Sequence, residues 1–372
     1  MNSLDIRIAC AFGLEGILKK ELVRQGHGIE NTTNGAVCIK GSYKDAFLLN
    51  MNLRTANRVL IKITEGKAAT FDELFDFVYS VEWKDFLPKD AKFDVQKITS
   101  VSSALFSLRD CQSIIKKAAV EKMKASYRTS LIPESGAYFP LEVRIKNDIA
   151  EIYLNTSGES LDKRGYRLNK GVSPLNETLA AGIALISGYT GKCEFADFMC
   201  GSGTIAIEAA MIASDMPPGL GRSFAMEQWK ALPEGEIALL RQQAREKIRR
   251  PNYRILASDI DYTAVRNTEQ NAQRCAVADY IALQKMDMRQ FRSKAARGII
   301  VTNPPYGERL GDKKEAELLY SDMRKVMENL PGWELNVITA NPEFQRCYGR
   351  KADKNRKLYN GNMLSYLYSY KA

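Results

Sequence analysis

Residues 193–213 read CEFADFMCGSGTIAIEAAMIA, and this stretch decides the fold. An apolar segment leads into the turn CGSG at 200–203, and an apolar helical pattern begins at Thr204. A glycine turn between a strand and a helix can present backbone N–H groups to a ligand, because glycine allows close approach of the backbone. The stretch therefore predicts a strand, a ligand-binding turn and a helix in direct succession.

Strands and helices alternate on both sides of this unit. The helical pattern TLAAGIALISGY precedes it, and the stretches YRILASDID, YIALQKMD, RGIIVTN, WELNVITA and MLSYLYSY follow it with helical patterns between them. Such alternation indicates a mainly parallel sheet with helices on both faces. We therefore predict an α/β, doubly wound domain over residues 176–372, with an insertion at 214–253.

The first 155 residues of the 372 have an α+β pattern instead. Short strands and helices alternate in residues 1–64, and a second unit at 65–155 ends in the strands PLEVRIK and IAEIYLN. The Asn147-Asp148 dipeptide between them is typical of a tight hairpin. Glycines, a proline and several Lys or Arg residues follow, so residues 156–175 are predicted to be a linker.

The glycine turn does not match a nicotinamide dinucleotide site. That fingerprint has three glycines and an acidic residue about 20 residues further on. Ala206 stands where the third glycine would be, and Asp259 follows Gly203 by 56 residues. A different nucleoside cofactor is therefore favoured.

Acidic residues at strand ends complete the predicted cofactor site. Asp197 ends the strand before the turn, and a carboxylate at the end of the next strand can accept hydrogen bonds from two ribose hydroxyls. Asp259 is the candidate for this role, because Asp261 is equally suited to be the N-cap of the following helix. Asp287 follows a third strand, where it could accept a hydrogen bond from an adenine amino group.

Asn303-Pro304-Pro305-Tyr306 follows the apolar strand RGIIVT. Active sites of doubly wound sheets lie at the carboxyl ends of the strands. The prolines stiffen the backbone, so that the Asn303 side-chain oxygen and the Pro304 carbonyl can both accept hydrogen bonds from one –NH2 group. Tyr306 offers a face on which a base can stack. The motif predicts methyl transfer to an exocyclic amine, which needs no histidine.

Composition excludes several other kinds of chemistry. The only histidine is His27, and the seven cysteines form no C-x-x-C pair, so catalytic triads, metal sites and disulfides are not expected. A formal net charge of +10 favours a polyanionic partner. No apolar run approaches membrane-span length, and the N-terminus lacks the basic region of a signal peptide. A cytoplasmic protein is expected.

The chain resembles class I methyltransferases with an N-terminal THUMP domain, of the 23S rRNA guanine-N2 type. The resemblance is carried by RGYR (164–167), PLNETLAA (174–181), DFMCGSGTIAIEAAMIA (197–213), SDID (258–261), TNPPYGERL (302–310) and KLYNG (357–361). It implies a Rossmann-like methyltransferase domain preceded by ferredoxin-like and THUMP modules. It also implies S-adenosylmethionine as the cofactor and RNA as the partner.

The resemblance assigns roles to individual residues. The residues expected to contact the cofactor are Asp197, Met199, Cys200, Gly201, Ser202, Gly203, Thr204, Asp259 and Asp287. Asn303, Pro304, Pro305 and Tyr306 would hold the target base, and Arg164 and Arg167 of RGYR would bind RNA. One departure from the pattern is Phe198, where some relatives have proline.

Alternatives remain for the substrate. The family implies guanine N2 in rRNA, but single-module relatives include tRNA enzymes. The Asn-Pro-Pro-Tyr motif recognises an amine rather than a whole base, so an N6-adenine methyltransferase is the runner-up. A non-enzymatic RNA-binding protein is the remote third possibility, and the intact Asn303 and glycine turn disfavour it.

Overall fold

The computed structural model describes residues 3–167, 175–305 and 312–372. Its first half contains strands and helices that build one sheet and its cover. The strands are β1 (Leu4–Cys10), β2 (Asn31–Thr33), β3 (Ala36–Gly41), β4 (Ala56–Lys67), β5 (Lys92–Val101), β6 (Tyr138–Lys146) and β7 (Ile149–Asn155). The helices are α1 (Glu15–Arg24), α2 (Tyr43–Asn52), α3 (Phe71–Tyr79) and α4 (Leu108–Tyr127).

The two N-terminal units share this sheet, whose order is β2-β3-β1-β4-β7-β6-β5. Strand β4 pairs antiparallel with β1 of the first unit and with β7 of the second. Strand β4 therefore runs across the predicted boundary at residue 64, where its pairing with β7 shifts register between Lys62 and Thr64. The predicted hairpin between β6 and β7 is confirmed: Asn147 and Asp148 have φ angles of 51° and 61°, as a tight hairpin turn requires.

The second half contains the predicted doubly wound sheet. Its strands are β8 (Glu194–Asp197), β9 (Ile255–Asp259), β10 (Ile281–Lys285), β11 (Gly298–Thr302), β12 (Trp333–Thr339), β13 (Lys354–Asn360) and β14 (Met363–Tyr370). Its helices are α5 (Glu177–Ile186), α6 (Thr204–Ala213), α7 (Glu236–Glu246), α8 (Tyr262–Arg274), α9 (Asp312–Glu328) and α10 (Phe344–Tyr348).

The order of this sheet is β10-β9-β8-β11-β12-β14-β13, and the strands from β8 to β12 are parallel. The α/β fold class is thereby confirmed. Strand β14 runs antiparallel to β12 and pairs with β13 at the edge. We did not predict β13, because residues 354–357 read KNRK and show no alternation of polar and apolar residues. In the structure all four are exposed.

The insertion at 214–253 joins the two halves. The Trp229 ring stacks on Phe139 of β6 with a centroid distance of 4.9 Å. The Gly219 N–H donates a hydrogen bond of 2.9 Å to the Met51 carbonyl. One cluster of buried apolar side chains extends from the N-terminal sheet to one face of the second sheet, and a separate cluster covers the other face. The two halves therefore pack as one body around a shared core.

Candidate cofactor and base site

Strand order reverses between the neighbouring strands β8 and β11, since β9 and β10 lie on one side of this pair and β12 on the other. Parallel sheets of this kind bind ligands at such a switch point, outside the carboxyl ends of the strands. Strand β8 ends at Asp197 and β11 ends at Thr302. The glycine turn and the Asn-Pro-Pro segment therefore start side by side.

Asp197 and Thr302 are directly joined. The Thr302 hydroxyl donates a hydrogen bond of 2.9 Å to Asp197 Oδ1, which also accepts one of 3.4 Å from the Met199 N–H. Asp197 is 1% exposed. Burial raises the pKa of Asp197 to about 7, although these two hydrogen bonds oppose the shift. Its protonation state therefore changes near neutral pH.

The turn after β8 depends on two glycines with positive φ. Gly201 has φ 54° and Gly203 has φ 81°, a region that residues with a side chain rarely occupy. A Cβ at Gly203 would lie 2.6 Å from Cγ2 of Thr268, whereas a Cβ at Gly201 would meet nothing within 4 Å. The backbone at Gly201 thus borders open space. Helix α6 begins at Thr204, so its first N–H groups face the same end of the sheet.

Helix α8 supports this turn with two residues that the sequence analysis did not single out. The Thr268 hydroxyl donates to the Gly201 carbonyl at 2.9 Å, and the Asn271 amide donates to the Ser202 carbonyl at 2.9 Å. Both side chains are buried. Residues three positions apart in a helix lie on the same face. The polar pair Thr268 and Asn271 at this spacing is the signal that could have revealed them.

Asp259 lies against the turn. Its Oδ2 accepts a hydrogen bond of 2.9 Å from the Gly201 N–H, and its Oδ1 accepts one of 3.0 Å from the Asp261 N–H. Asp261 is the N-cap of α8 and accepts a hydrogen bond from Thr263. Asp259 therefore holds the turn in place at the end of the neighbouring strand.

Asp287 lies after β10, at the same edge of the sheet. It accepts a hydrogen bond of 2.9 Å from the Arg289 N–H and forms an ion pair of 3.0 Å with the same residue's guanidinium. Arg289 also contacts Asp322 of α9 at 2.9 Å. The adenine contact predicted for Asp287 stays a prediction.

The remaining residues of the turn differ in their exposure. Cys200 is buried, and its N–H donates to the Ser258 carbonyl at 2.9 Å. Burial raises the pKa of the Cys200 thiol. Met199 and Ser202 are half-buried, and the Ser202 hydroxyl lies 3.3 Å from that of Thr204. Cys200 thus serves the packing of the turn, while Ser202 lies nearer its surface.

The Asn-Pro-Pro segment leaves the sheet next to the turn. Asn303 is half-buried, Pro304 is buried and Pro305 is exposed. The Pro305 carbonyl accepts a hydrogen bond of 2.8 Å from the hydroxyl of Tyr320, a buried residue of α9. Tyr306, the predicted stacking residue, lies outside the described residues.

The RNA-binding role predicted for Arg164 does not fit the structure. Its side chain is 2% exposed and forms an ion pair of 3.3 Å with Glu208 in the middle of α6. It also donates hydrogen bonds to the Leu161 and Arg54 carbonyls. A buried and paired guanidinium is out of reach of a phosphate at the surface, so Arg164 instead links α6 to the N-terminal half.

Arg167 also faces inward. It donates hydrogen bonds to the Leu175 carbonyl at 2.7 Å and to the Thr204 hydroxyl at 3.0 Å, and it lies 3.5 Å from the Glu177 carboxylate. Its side chain is 12% exposed. Arg167 therefore fixes the start of α6 against α5, behind the glycine turn, rather than offering its charge to RNA.

Within the described ranges, no helix has the length and apolarity needed to cross a bilayer. Models of known families match almost the whole chain. The model for RMKL-like methyltransferase domains (UPF0020) matches residues 164–368, the RlmL ferredoxin-like domain matches 5–60 and the THUMP domain matches 68–155.

Curated relatives carry related names. "Putative RNA methyltransferase YpsC" of Bacillus subtilis is 40% identical, in an alignment that covers 100% of this chain and 96% of the relative. "Ribosomal RNA large subunit methyltransferase K/L" of Cellvibrio japonicus is 31% identical over 96% of this chain and 50% of the relative. The chain thus spans about half the length of the K/L relatives that it matches.

Solved structures are similar over their full length. A "putative methyltransferase complexed with SAH" has a TM-score of 0.94 and 35% identity, covering 100% of this chain and 99% of its own. A "predicted N6-adenine-specific DNA methylase" from Listeria monocytogenes has a TM-score of 0.93 and 39% identity, covering 100% and 96%. Together with the family models, these similarities confirm the predicted fold, family and cofactor: the chain belongs to the RMKL-like family of S-adenosylmethionine-dependent methyltransferases, with RlmL-type ferredoxin-like and THUMP domains.

Proposed function

We propose that this protein transfers the methyl group of S-adenosylmethionine to N2 of a guanine in ribosomal RNA. One observation carries the proposal: the Asn303-Pro304-Pro305 segment leaves the sheet beside the glycine turn, at the switch point of the fold. The names of the relatives support RNA as the substrate, and those of the K/L type support ribosomal RNA. The THUMP domain and the +10 charge agree with an RNA partner.

The residues around the turn fit a nucleoside cofactor. The backbone at Gly201 borders open space. Asp197 and Asp259 end their strands and Asp287 follows the next one, so all three lie at the carboxyl ends of parallel strands. In this proposal Asp197, the turn from Met199 to Thr204, Asp259 and Asp287 hold the cofactor, whose sulfonium supplies an electrophilic methyl group. Each Asp259 carboxylate oxygen accepts one backbone hydrogen bond and has a further lone pair, which could accept a hydrogen bond from a ribose hydroxyl.

The Asn303 side-chain oxygen and the Pro304 carbonyl would accept hydrogen bonds from the target –NH2 group. These bonds orient the nitrogen lone pair and stabilise positive charge as it develops on the amine. Tyr306 and Pro305 would complete the walls for the base. Two prolines limit the movement of this segment, and the Tyr320 hydrogen bond to the Pro305 carbonyl anchors it to α9.

N6-adenine methylation is the second candidate, because the amine-binding motif does not select between the two bases. The name of the Listeria structure favours this alternative. The THUMP domain and the RNA methyltransferase names argue for RNA rather than DNA. Among RNA substrates, tRNA remains the alternative to rRNA.

A substrate panel tests the proposal. The purified protein is incubated with S-adenosylmethionine labelled in the methyl group and with rRNA, tRNA or genomic DNA, each taken from cells that lack the protein. We expect incorporation into rRNA only. Incorporation into tRNA alone would refute the rRNA assignment, and incorporation into DNA alone would refute RNA as the substrate class.

A further inference from the structure

A cleft of about 410 Å³ lies between the N-terminal sheet and the β13–β14 hairpin. It is lined by Ala11, Phe12, Asn57, Asn176, Tyr359 and Gly361. The first three belong to the N-terminal half and the last three to the methyltransferase half. The cleft is therefore a composite feature, formed only where the two halves pack together.

Its N-terminal wall is held rigidly by close packing. A Cβ at Gly13, next to Phe12, would lie 2.8 Å from the Lys357 carbonyl of β13. The Glu15 carboxylate accepts hydrogen bonds from the Gly13 and Gly35 N–H groups at 2.9 and 2.7 Å. The Phe12 loop is thereby fixed against β13, and the cleft is a built feature of the surface.

Two aromatic rings from opposite walls meet in this cleft. Phe12 and Tyr359 lie edge to face, with a centroid distance of 5.7 Å and an interplanar angle of 83°. Phe12 is nevertheless 48% exposed and Tyr359 is half-buried. A large ring fixed at the surface of a cleft offers a stacking face, which is how proteins bind unpaired bases.

Two amide side chains accompany the rings. The Asn57 Oδ1 accepts a hydrogen bond of 2.8 Å from the Thr178 hydroxyl. Asn176 is the N-cap residue of α5, but its side chain makes no capping hydrogen bond. Amides provide both donors and acceptors, as the edges of bases do. Among the lining residues that the structure describes, none is acidic, and the nearby Glu15 carboxylate accepts hydrogen bonds from the Gly13 and Gly35 N–H groups.

The cleft and the proposed active site both lie at the end of the sheet where the parallel strands have their carboxyl ends. Register places Thr302 beside Val337, Thr339 beside Tyr366 and Tyr359 beside Leu364. Three strand spacings therefore separate β11 from β13, or about 14 Å. Tyr359 projects beyond the level of Thr339, toward the side on which Asn303 leaves the sheet. A short run of nucleotides can span this distance.

Strand β13, which contributes Tyr359 to the cleft, also carries exposed positive charge. Lys354, Arg356 and Lys357 are exposed, and none of them forms an ion pair with a residue in the ranges that the structure describes. Lysines on an edge strand also discourage strand pairing between molecules. Protection of an edge strand explains the lysines but not the exposed aromatic rings. Binding of single-stranded RNA uses both, the cations for phosphates and the rings for stacked bases.

We infer that this cleft binds an unpaired base of the RNA near the methylated nucleotide, with the phosphates of the same strand along β13. The inference rests on the proposed function, because it takes RNA as the substrate. It goes further in giving the methyltransferase half, together with the Phe12 loop, a direct part in selecting single-stranded RNA. Recognition would then require an unpaired nucleotide at a set distance from the target.

The test measures binding of large-subunit rRNA, purified from cells that lack the protein, to the full chain. Replacing both rings, Phe12→Ala with Tyr359→Ala, should raise the dissociation constant roughly 5- to 150-fold, the change that about 1–3 kcal/mol of stacking represents. The aromatic exchange Phe12→Tyr with Tyr359→Phe should restore binding. Tyr253→Ala is the matched control, since this exposed tyrosine precedes β9, which four strands separate from β13 in the sheet.

A second variant guards against misfolding of the first. Asn176→Asp keeps the shape of the side chain and suits an N-cap position, but it places a negative charge in the cleft. It should weaken RNA binding while S-adenosylhomocysteine binding stays unchanged. Ultraviolet crosslinking of wild-type protein to the same rRNA should attach nucleotides to peptides that contain Phe12 or Tyr359.

The outcomes separate this inference from the proposed function. If the double-ring variant and Asn176→Asp both bind rRNA with wild-type affinity, the inferred role of the cleft is refuted, even if the protein methylates RNA. RNA binding that depends on the cleft, in a wild-type protein that methylates no RNA, would support the cleft and refute the proposed function.

Discussion

The Thr302 hydroxyl donates a 2.9 Å hydrogen bond to the buried Asp197 carboxyl, and this contact joins the two segments that the proposed chemistry brings together. Asp197 ends β8 immediately before the glycine turn, and Thr302 ends β11 immediately before Asn303. A shift of one strand relative to the other would break the bond. The contact therefore fixes the glycine turn relative to the Asn-Pro-Pro segment.

The pKa of Asp197 predicts how stability depends on pH. Burial raises it to about 7 from 3.8, so the folded protein binds this proton more tightly than the unfolded chain. The stabilising contribution is complete below about pH 3.8 and is lost as pH rises to about 7. Without cofactor, wild type should therefore lose more free energy of unfolding between pH 5 and pH 8 than Asp197→Asn does.

Urea titrations at the two pH values measure this difference, with the exposed Asp279→Asn as the control. Equal pH dependence in wild type and Asp197→Asn would show that the Asp197 carboxyl does not titrate in this range.

Gly201→Val tests the cofactor site. Its side chain would project into the open space beside the turn, so S-adenosylhomocysteine binding measured by calorimetry should fall below detection. The strain of a positive φ is matched by Gly26→Val, since Gly26 has φ 87° and also borders open space. Gly26→Val should keep its affinity. Equal affinity in the two variants would place the cofactor elsewhere.

Arg164 should matter for stability and not for RNA affinity. Arg164→Met leaves the buried Glu208 carboxylate with the Tyr166 hydroxyl but without its ion-pair partner, which costs about 3–5 kcal/mol of unfolding free energy. The exposed Arg250→Met is the control and should change stability little. Below the unfolding transition, rRNA affinity should equal that of wild type. A loss of affinity at unchanged stability would restore the RNA-binding role for Arg164.

The elements with a clear pattern were predictable from the sequence. Strand β8, the glycine turn and α6 follow one another in 21 residues of uninterrupted signal, and the parallel sheet follows from alternation. The N-cap role that we allowed for Asp261 is what the structure shows. These features depend on neighbours in sequence, so local patterns suffice to reveal them.

Features that depend on distant contacts were not predictable in the same way. Arg164 has the composition of a surface cation, and only the packing of α6 against the N-terminal half buries it beside Glu208. Thr268 and Thr302 are ordinary residues until the fold brings them to the turn and to Asp197. The polar strand β13 acquires its structure from pairing with β14.

Asn303→Ala tests the chemical step. Because Asn303 is proposed to accept a hydrogen bond that strengthens as the amine becomes cationic, its loss should lower the rate constant for methyl transfer roughly 100- to 1000-fold. Single-turnover assays with saturating RNA measure this rate. S-adenosylhomocysteine affinity should barely change, since the side chain is assigned to the base. An undiminished rate would refute the mechanism.

Mass spectrometry of nucleosides tests the central claim most directly. Large-subunit rRNA from cells that lack the protein is treated with the purified protein and S-adenosylmethionine, then digested to nucleosides. We predict that N2-methylguanosine increases in proportion to the protein added, and that Asn303→Ala yields little of it. N6-methyladenosine as the sole product would contradict the guanine assignment, and no methylated nucleoside in rRNA would contradict the proposed function.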